Sequence, residues 1–212
     1  MSNLLFTLFF CRATPSSRDL LKTFLERGII AIGWDSLGDL TNKNKDYIRN
    51  NLETRLRNIN TTVGQINHFV NNMSVGCLCL IPNPNPTSNE VYLARIVSDY
   101  YYSNEDSDKG FRHQRKIELL NQGLPYNRKD LPIDLQQSLK ALITVGDISK
   151  HQLILEDYIN SLDKEKFKLE EELENLAPIA ISNLRKYLSD SNSEKQLEAS
   201  MQVLELLANC ER

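Results

Sequence analysis

The first third of the chain alternates short apolar runs with one amphipathic segment. Residues 3–12 form a run rich in Leu and Phe, which is typical of a buried strand. Residues 18–27 then place their apolar side chains at helical spacing, and Gly28 stands where a C-terminal cap glycine is expected. The next apolar run, residues 29–32, leads into a turn at Trp34. This part of the chain therefore predicts a strand, a helix and a second strand.

The middle of the chain predicts two more helices and then a series of strands. Apolar residues about four positions apart indicate helices at 46–58 and 63–73. The remaining elements are predicted strands at 75–82, 90–102, 111–120 and 143–148, and a short helix at 135–142. Local hairpins after an early crossover are typical of a small mixed barrel, so we predict an α+β fold.

From about residue 150 the strand patterns stop and amphipathic helical segments take over. Leucines at roughly heptad spacing occur between residues 153 and 176, and Pro178 is the only proline in this part. We therefore predict two domains, a barrel domain at residues 1–149 and an α-helical C-terminal appendage at residues 150–212.

Composition narrows the class of protein. The net charge of −3 excludes a generally basic nucleic-acid binder, so any nucleic-acid site must be a local patch. No apolar run approaches the roughly 18–20 residues that a bilayer span requires. The apolar start at residues 4–11 lacks a preceding basic segment and is interpreted as a strand, not a signal peptide. The four cysteines form no CxxC pair, which favours reduced thiols. We predict a cytoplasmic protein without a cofactor.

The turn after the second strand is the first candidate for chemistry. It carries the only tryptophan, Trp34, followed by Asp35, Ser36 and Asp39. A large ring beside such polar groups can form a pocket with a stacking wall and a hydrogen-bonding edge. It can equally be a strand end covered by a core tryptophan, which composition alone favours because large aromatic side chains are usually buried.

A basic strand at residues 111–117 is the second candidate. The predicted contacts to a phosphate backbone are Lys43, Lys45, Arg112, His113, Arg115 and Lys116. A period of two puts Arg112 and Lys116 on one face of the strand and His113 and Arg115 on the opposite face. The charges of the strand therefore cannot all point the same way. The alternative is a solvated hairpin strand that is salt-bridged to the acidic loop at 105–108.

The sequence shows no catalytic constellation. A restriction-type nuclease needs an acidic residue or Gln two positions before a metal-site Lys. Gln114-Arg115-Lys116 fits the Gln variant by letters but has no clear upstream acidic partner. His68, His113 and His151 lack metal-ligand spacing, and no Gly-rich phosphate loop or nucleophile elbow is present. We predict that the protein is not an enzyme.

Three pieces of the barrel segment match a known pattern in order and spacing. They are Ala31-Ile32-Gly33-Trp34 through Gly38-Asp39-Leu40, Phe69 through Gly76 with the strand ending at Pro82, and Ala94 through Tyr100 leading to Phe111–Ile117. Together they resemble the N-terminal domain of some modification-dependent (Mrr-type) restriction endonucleases. That domain looks like a member of the EVE/PUA-like barrels, a group that includes the YTH readers of methylated RNA. The resemblance covers about residues 3–148 and leaves out the nuclease half.

The resemblance implies a small PUA/EVE-like mixed β-barrel with flanking helices, followed by an α-helical C-terminal region. It also implies a pocket that receives a base swung out of a nucleic-acid strand and tests it for modification. A flipped base needs a stacking surface and hydrogen bonds on its edge. Trp34 would supply the stacking surface, and Asp35, Ser36 and Asp39 would supply the edge.

The predicted function is a noncatalytic, nucleic-acid-binding reader of a modified, flipped base in prokaryotic or phage-defence restriction, which is an antiviral role. Modified DNA is favoured over RNA, and an effector protein or a second copy would bind through residues 150–212. The alternative is a protein-interaction or small-nucleotide-sensing adaptor that assembles through its C-terminal helices. Net acidity favours the alternative, and neither function involves a membrane.

Overall fold

The structure is a computed structural model that describes residues 7–52, 58–105, 110–189, 194, 197–198 and 200–201. The chain divides into two compact units, Met1–Tyr158 and Ile159–Arg212. The first contains every described strand, and the second is helical over most of its described residues. The two-domain division at residue 149 stays a prediction.

Most elements lie where the hydrophobic pattern predicts them, but the predicted strand at 90–102 is two strands, a strand at 126–127 is additional, and two helices begin earlier than predicted, at Ile59 and Ile133. Residues 53–57 of the predicted helix at 46–58 lie outside the described residues. The strands are β1 (Leu8–Cys11), β2 (Ile29–Ile32), β3 (Leu78–Pro82), β4 (Glu90–Ile96), β5 (Tyr101–Tyr102), β6 (His113–Leu119), β7 (Tyr126–Asn127) and β8 (Val145–Asp147). The helices are α1 (Leu21–Arg27), α2 (Lys45–Asn51), α3 (Ile59–Asn67), α4 (Ile133–Ser138) and α5 (Gln152–Leu188). A π-helical turn, His68–Asn72, extends α3.

The strands form one curved mixed sheet in the order β2-β6-β4-β3-β1-β8. The β1–β3 pair is parallel and the other pairs are antiparallel. The short strands β5 and β7 lie off this path, on β6 and β4. The predicted α+β class, with a curved sheet, flanking helices and a helical C-terminal part, is confirmed.

Gly28 fixes where α1 ends and β2 begins. Its backbone is left-handed (φ 60°, ψ 46°), and its N–H caps the carbonyl of Phe24. A side chain there would meet the backbone carbonyl of Ile117 at 3.2 Å, so both the backbone angle and the close strand favour glycine. The predicted cap glycine is confirmed.

The core of the first unit lies between the sheet and helices α1–α3. All four residues of β1 and all four of β2 are buried. Phe24 of α1, Ile66 of α3 and Phe69 of the π-helical turn pack with them, each fully buried. This packing places the end of β2, and with it the turn at Trp34, beside the first residues of β6.

Helix α5 is one element, although the sequence pattern describes several amphipathic segments interrupted by proline. It runs through Pro178 and ends at Leu188. Proline removes one backbone hydrogen bond and does not by itself stop a helix that continues on both sides.

Candidate functional site

The turn after β2 holds Trp34 in an unusual backbone conformation. Its φ of 70° and ψ of 32° are left-handed, which is a genuine outlier for a bulky residue. The turn closes when Leu37 N–H donates to the Trp34 carbonyl (2.9 Å) and Gly38 N–H donates to the Asp35 carbonyl (3.0 Å). Such a conformation costs roughly 1–3 kcal/mol and persists where the surroundings fix it, often at functional sites.

His113, the first residue of β6, fixes this turn from inside. The ring is fully buried. Its Nε2 lies 3.2 Å from the Trp34 carbonyl oxygen, and its Nδ1 lies 2.8 Å from the Tyr100 hydroxyl. That hydroxyl accepts from Leu40 N–H (3.1 Å), so its own proton goes to Nδ1 and Nε2–H donates to Trp34. The neutral ring therefore satisfies every group in the chain of hydrogen bonds.

Burial also favours the neutral form of this histidine. It lowers the pKa of His113, against the opposing effect of the hydrogen bond to the Trp34 carbonyl. Burial likewise raises the pKa of Tyr100, which keeps its proton for His113. The turn is thus held by a network that stays uncharged at neutral pH.

Asp35 fastens the outer side of the same turn. Its Oδ1 accepts from Arg112 N–H (3.1 Å), and its carbonyl accepts from the Tyr102 hydroxyl (3.1 Å). The Arg112 guanidinium lies 4.1 Å from the Tyr102 ring centroid and donates to Ser103 O (2.9 Å) and Asn104 Oδ1 (2.7 Å). The Oδ2 of Asp35 is buried, with no hydrogen-bond partner among the described residues. Asp35 and Arg112 therefore brace the turn from the β5–β6 side.

A cleft of about 340 Å³ opens beside the Trp34 ring. The ring packs against the core on one side and is partly exposed. The cleft is lined by Thr14, Pro15, Ser17, Gly33, Trp34 and Thr144. None of these residues is charged, and three of them carry hydroxyl groups that can donate and accept a hydrogen bond.

The predicted edge residues do not line this cleft. Asp35 is engaged as described, Ser36 is exposed, and Asp39 accepts from the backbone and hydroxyl of Thr41 (2.9 and 2.7 Å). The Thr41 hydroxyl holds the pKa of Asp39 below its usual value. The polar lining comes instead from the loop after β1 and from Thr144, whose carbonyl accepts from Arg12 N–H at 2.8 Å. The sequence feature that could have indicated this lining is the small polar run Thr14-Pro15-Ser16-Ser17.

Strand β6 alternates between buried and exposed side chains over residues 115–118, as the period of two predicts, whereas Gln114 is buried although it falls on the outer face. His113 and Arg115 are 0% and 2% exposed, whereas Lys116 is exposed and Arg112 is partly exposed. The prediction that His113 and Arg115 contact a phosphate backbone is therefore wrong, because neither side chain reaches the surface. Arg112 and Lys116 remain accessible.

Arg115 satisfies a helix end inside the first unit. Its Nε and Nη2 donate to the carbonyls of Phe69 (2.7 Å) and Val70 (2.9 Å), and its Nη1 donates to Ser98 O (3.1 Å). Phe69 and Val70 belong to the π-helical turn, whose last carbonyls lack helical partners and carry partial negative charge. Burial lowers the pKa of Arg115 to about 10, so the side chain stays charged at neutral pH.

The other predicted cations lie on α2 and the preceding loop. Lys43 is partly exposed, with its Nζ 4.7 Å from the Tyr47 ring centroid, and Lys45 is exposed at the start of α2. The acidic loop that could salt-bridge to β6 falls partly at residues 106–109, which lie outside the described residues.

A second cleft, of about 610 Å³, lies on the outer face of β6. Its lining includes the cations Arg27 and Lys116, the rings of Tyr101 and Tyr102, and one acid, Glu105. Tyr102 also donates to the Trp34 turn through Asp35, so this cleft borders the candidate site.

The cysteines of the first unit are buried thiols. Cys11, Cys77 and Cys79 are free, and burial raises the pKa of Cys11 to about 12. Among the residues that the structure describes, no group of three or more His, Cys, Asp or Glu side chains could hold a metal ion.

A family model matches residues 11–145, from β1 to β8, including the Trp34 turn and β6. Its description is "Domain of unknown function (DUF8426)". The chain belongs to this family. None of the curated proteins matches the chain.

Two solved structures are similar to part of the chain at low TM-score. One is the NMR structure of Rpa0253 from Rhodopseudomonas palustris, with 16% identity and a TM-score of 0.33 over 67% of this chain and 84% of that one. The other is the crystal structure of Atu2648 from Agrobacterium tumefaciens, with 12% identity and a TM-score of 0.33 over 70% and 90%. Over its described residues, the chain has no helix that is both long and apolar enough to cross a bilayer.

Proposed function

We propose that this chain is a noncatalytic reader that takes a modified, flipped nucleic-acid base into the cleft beside Trp34. The observation that carries the proposal is the Trp34 ring itself. Trp34 is held in a strained left-handed backbone, is partly exposed and lines a cleft of about 340 Å³. A core tryptophan would need neither the strain nor the opening.

The chemistry of the cleft suits a neutral base. A flipped base stacks on an aromatic face and is read by hydrogen bonds along its edge. Thr14, Ser17 and Thr144 offer hydroxyl groups at the lining, and none of the lining residues that the structure describes carries a charge. Stacking is worth roughly 1–3 kcal/mol per base, and the hydroxyl groups would discriminate between edges.

The strand that carries the base would run over the outer face of β6. Arg112 and Lys116 are accessible there, and Arg27 lines the adjoining cleft with two tyrosine rings. Cations supply phosphate contacts, and rings supply sequence-tolerant stacking. Lys43 and Lys45 would widen this surface from the α2 side. A local patch of this kind is compatible with the net charge of −3.

The proposal includes a place among the EVE/PUA-like readers and a role in prokaryotic or phage-defence restriction in the cytoplasm. Both are supported only by the sequence resemblance. Modified DNA remains the favoured ligand, with RNA as the competing one.

The test is a binding panel with the full chain. Fluorescent DNA duplexes bearing cytosine, methylcytosine, hydroxymethylcytosine or methyladenine, and matching RNAs, would be titrated at fixed salt. We expect one modification to bind distinctly more tightly than its unmodified parent. Trp34→Ala should weaken that binding about 10- to 100-fold, which corresponds to the loss of one stacked base.

Matched variants separate the parts of the site. Tyr92→Ala removes a ring of similar size that packs against the core outside the cleft, so it should leave binding unchanged. Thr144→Val removes one hydroxyl group at constant shape and should reduce discrimination between modifications. Lys116→Gln should weaken all oligonucleotides alike and flatten the salt dependence. Absence of binding to every oligonucleotide, or a Trp34→Ala variant that binds like the parent, would refute the proposal.

The alternative, an adaptor that assembles through its C-terminal helix, is favoured by one separate observation. Large apolar side chains of α5 are exposed, among them Phe167 (69%) and Leu169 (57%). This surface is compatible with either function, because a reader that does not itself cut nucleic acid also needs a partner.

A further inference from the structure

Helix α5 carries an exposed stripe of leucines at coiled-coil spacing. Successive positions alternate three and four residues apart and comprise Leu162, Lys166, Leu169, Leu173 and Leu176, here called the leucine seam. This spacing averages 3.5 residues and keeps the side chains on one side of a helix over two heptads. Within the second unit, Leu169, Leu173 and Leu176 are 57%, 57% and 58% exposed.

An exposed seam of this kind is typical of a helix that lacks its partner. Single exposed leucines are common on protein surfaces, but a row of them at heptad spacing is not. Pro178 lies on the opposite side of α5, counted at 100° per residue, and so does not interrupt the seam. The seam therefore supplies one half of a two-helix packing surface.

Acidic residues border the seam on both sides. Asp163 and Glu170 lie along one edge, and Glu165 and Glu172 lie along the other, all exposed. In a coiled coil these positions face the corresponding edge positions of the partner helix and set partner choice.

Intrahelical lysines do not neutralise these edges. The Lys166–Glu170 and Lys168–Glu172 pairs each span 4.0 Å between exposed side chains. Surface pairs of this kind contribute little and are easily exchanged for other partners. The acidic edges thus remain available for a basic partner.

The acidic edges of the seam disfavour self-association. In a parallel pair of copies, Glu165 of one would face Glu170 of the other. In an antiparallel pair, acidic edges again meet acidic edges. Like charges placed opposite each other destabilise an interface, so two copies would repel at the positions that normally stabilise the pair.

We propose that the leucine seam of α5 binds an amphipathic helix of another protein whose edge positions are Lys or Arg, forming a heterotypic coiled coil. The partner's apolar stripe would cover the leucines, and its basic edges would pair with the four acids. Lys166, the one charged residue within the seam, would select a partner that offers an acidic or amide side chain opposite it and would fix the register. The proposal uses none of the residues of the Trp34 cleft and stands independently of the proposed function.

The test uses the full chain and two synthetic peptides. Both peptides would carry the same Ile and Leu seam over about four heptads, with one Asn in the seam to lie opposite Lys166. One would have Lys at every edge position and the other Glu. We expect the full chain to be a monomer by light scattering at micromolar concentration. In fluorescence anisotropy the Lys peptide should bind about 100-fold more tightly than the Glu peptide, with an affinity that falls as salt rises.

Variants of α5 separate the seam from its edges. Leu173→Asp should abolish binding of the Lys peptide, while Phe167→Asp, an exposed apolar residue outside the seam, should not. The quadruple change Asp163→Lys, Glu165→Lys, Glu170→Lys and Glu172→Lys should invert the preference toward the Glu peptide. Circular dichroism of each variant checks that the helix is retained, and the inverted preference is a gain that an unfolded variant cannot give.

Three results would overturn the proposal. Dimerisation of the full chain that Leu173→Asp abolishes would make a second copy the occupant. Equal binding of both peptides would remove the role of the acidic edges. Failure of both peptides to bind would show that the seam is not a coiled-coil surface or is already covered by the chain itself.

Discussion

The two compact units differ in where they place charged and apolar side chains. In the first unit a guanidinium, that of Arg115, is 2% exposed and donates to three backbone carbonyls. In the second unit Leu173 is 57% exposed on a helix. This buried cation is already held by three hydrogen bonds within its own unit. An exposed row of leucines favours association with another apolar surface.

The difference explains how the first unit can hold a strained feature. The left-handed backbone of Trp34 is surrounded by His113, Tyr100 and Asp35, each fixed by hydrogen bonds of its own. Rigid surroundings of this kind can hold a partly exposed tryptophan beside a cleft while the backbone of the turn stays strained. Among the described residues of the second unit, α5 instead exposes large apolar side chains, which is compatible with binding a partner.

The largest expected effect comes from removing the buried cation. Arg115→Met leaves the carbonyls of Phe69, Val70 and Ser98 without donors and should lower the free energy of unfolding by about 4 kcal/mol. Urea unfolding followed by circular dichroism measures it. Lys116→Met, the adjacent exposed position, is the control and should change stability by no more than about 0.5 kcal/mol. Equal losses for the two variants would mean that the inner face of β6 is not distinguished from the outer one.

A smaller loss of stability is expected when two leucines of the same helix are compared. Leu155 is 1% exposed and Leu173 is 57% exposed. Leu155→Ala should cost about 3 kcal/mol because it leaves a cavity in the first unit. Leu173→Ala should cost no more than a few tenths of a kcal/mol, since alanine is a good helix former and no packing is lost. A comparable loss at Leu173 would indicate that the seam is already packed within the chain, against the coiled-coil proposal.

The strain at Trp34 can be measured by comparing two variants that both lack the ring. Trp34→Gly should be more stable than Trp34→Ala by about 1 kcal/mol, because glycine adopts a φ of 70° freely and alanine does not. Thermal or urea unfolding followed by circular dichroism suits both, since neither retains the tryptophan fluorophore. If the alanine variant were equally stable or more stable, the left-handed backbone of this turn would not be a source of strain.

The smallest effect is on pH dependence. Burial lowers the pKa of His113 in the folded chain below the value of about 6.5 of a free histidine. Between the two values the unfolded chain binds more protons, so stability falls as pH falls through this window and is fully present above pH about 6.5. His113→Gln should flatten this part of the stability–pH curve, measured by urea unfolding at a series of pH values. An unchanged slope in the variant would exclude His113 as its source.

Much of the fold could be predicted from local pattern. The order of strands and helices, the cap at Gly28 and the two faces of β6 all follow from side-chain periodicity and from the special backbone freedom of glycine. These are properties of neighbouring residues, and they need no knowledge of the rest of the chain. The single helix through Pro178 differs from the expected segments because one missing hydrogen bond does not outweigh the helical residues on both sides.

The candidate site was predicted only in part. Trp34 could be found because it is the one tryptophan and follows a glycine. The lining of its cleft could not, since Thr14 and Thr144 come from opposite ends of the first unit and meet only when β1 pairs with β8. The sequence divides the basic run at β6 between two faces, but it does not show that His113 and Arg115 are on the buried one.

What the sequence by itself determined is therefore the set of elements, the mixed α+β class and the apolar, acid-edged face of α5, all of which depend on spacing along one segment. The tertiary structure alone decided which polar groups are inside. His113 and Arg115 are buried because a turn at Trp34 and a helix end at Phe69 and Val70 bring carbonyls to them, and long-range pairing of β2 with β6 creates that environment. The sequence does not indicate which backbone carbonyls will contact a charged side chain, because every residue has a carbonyl.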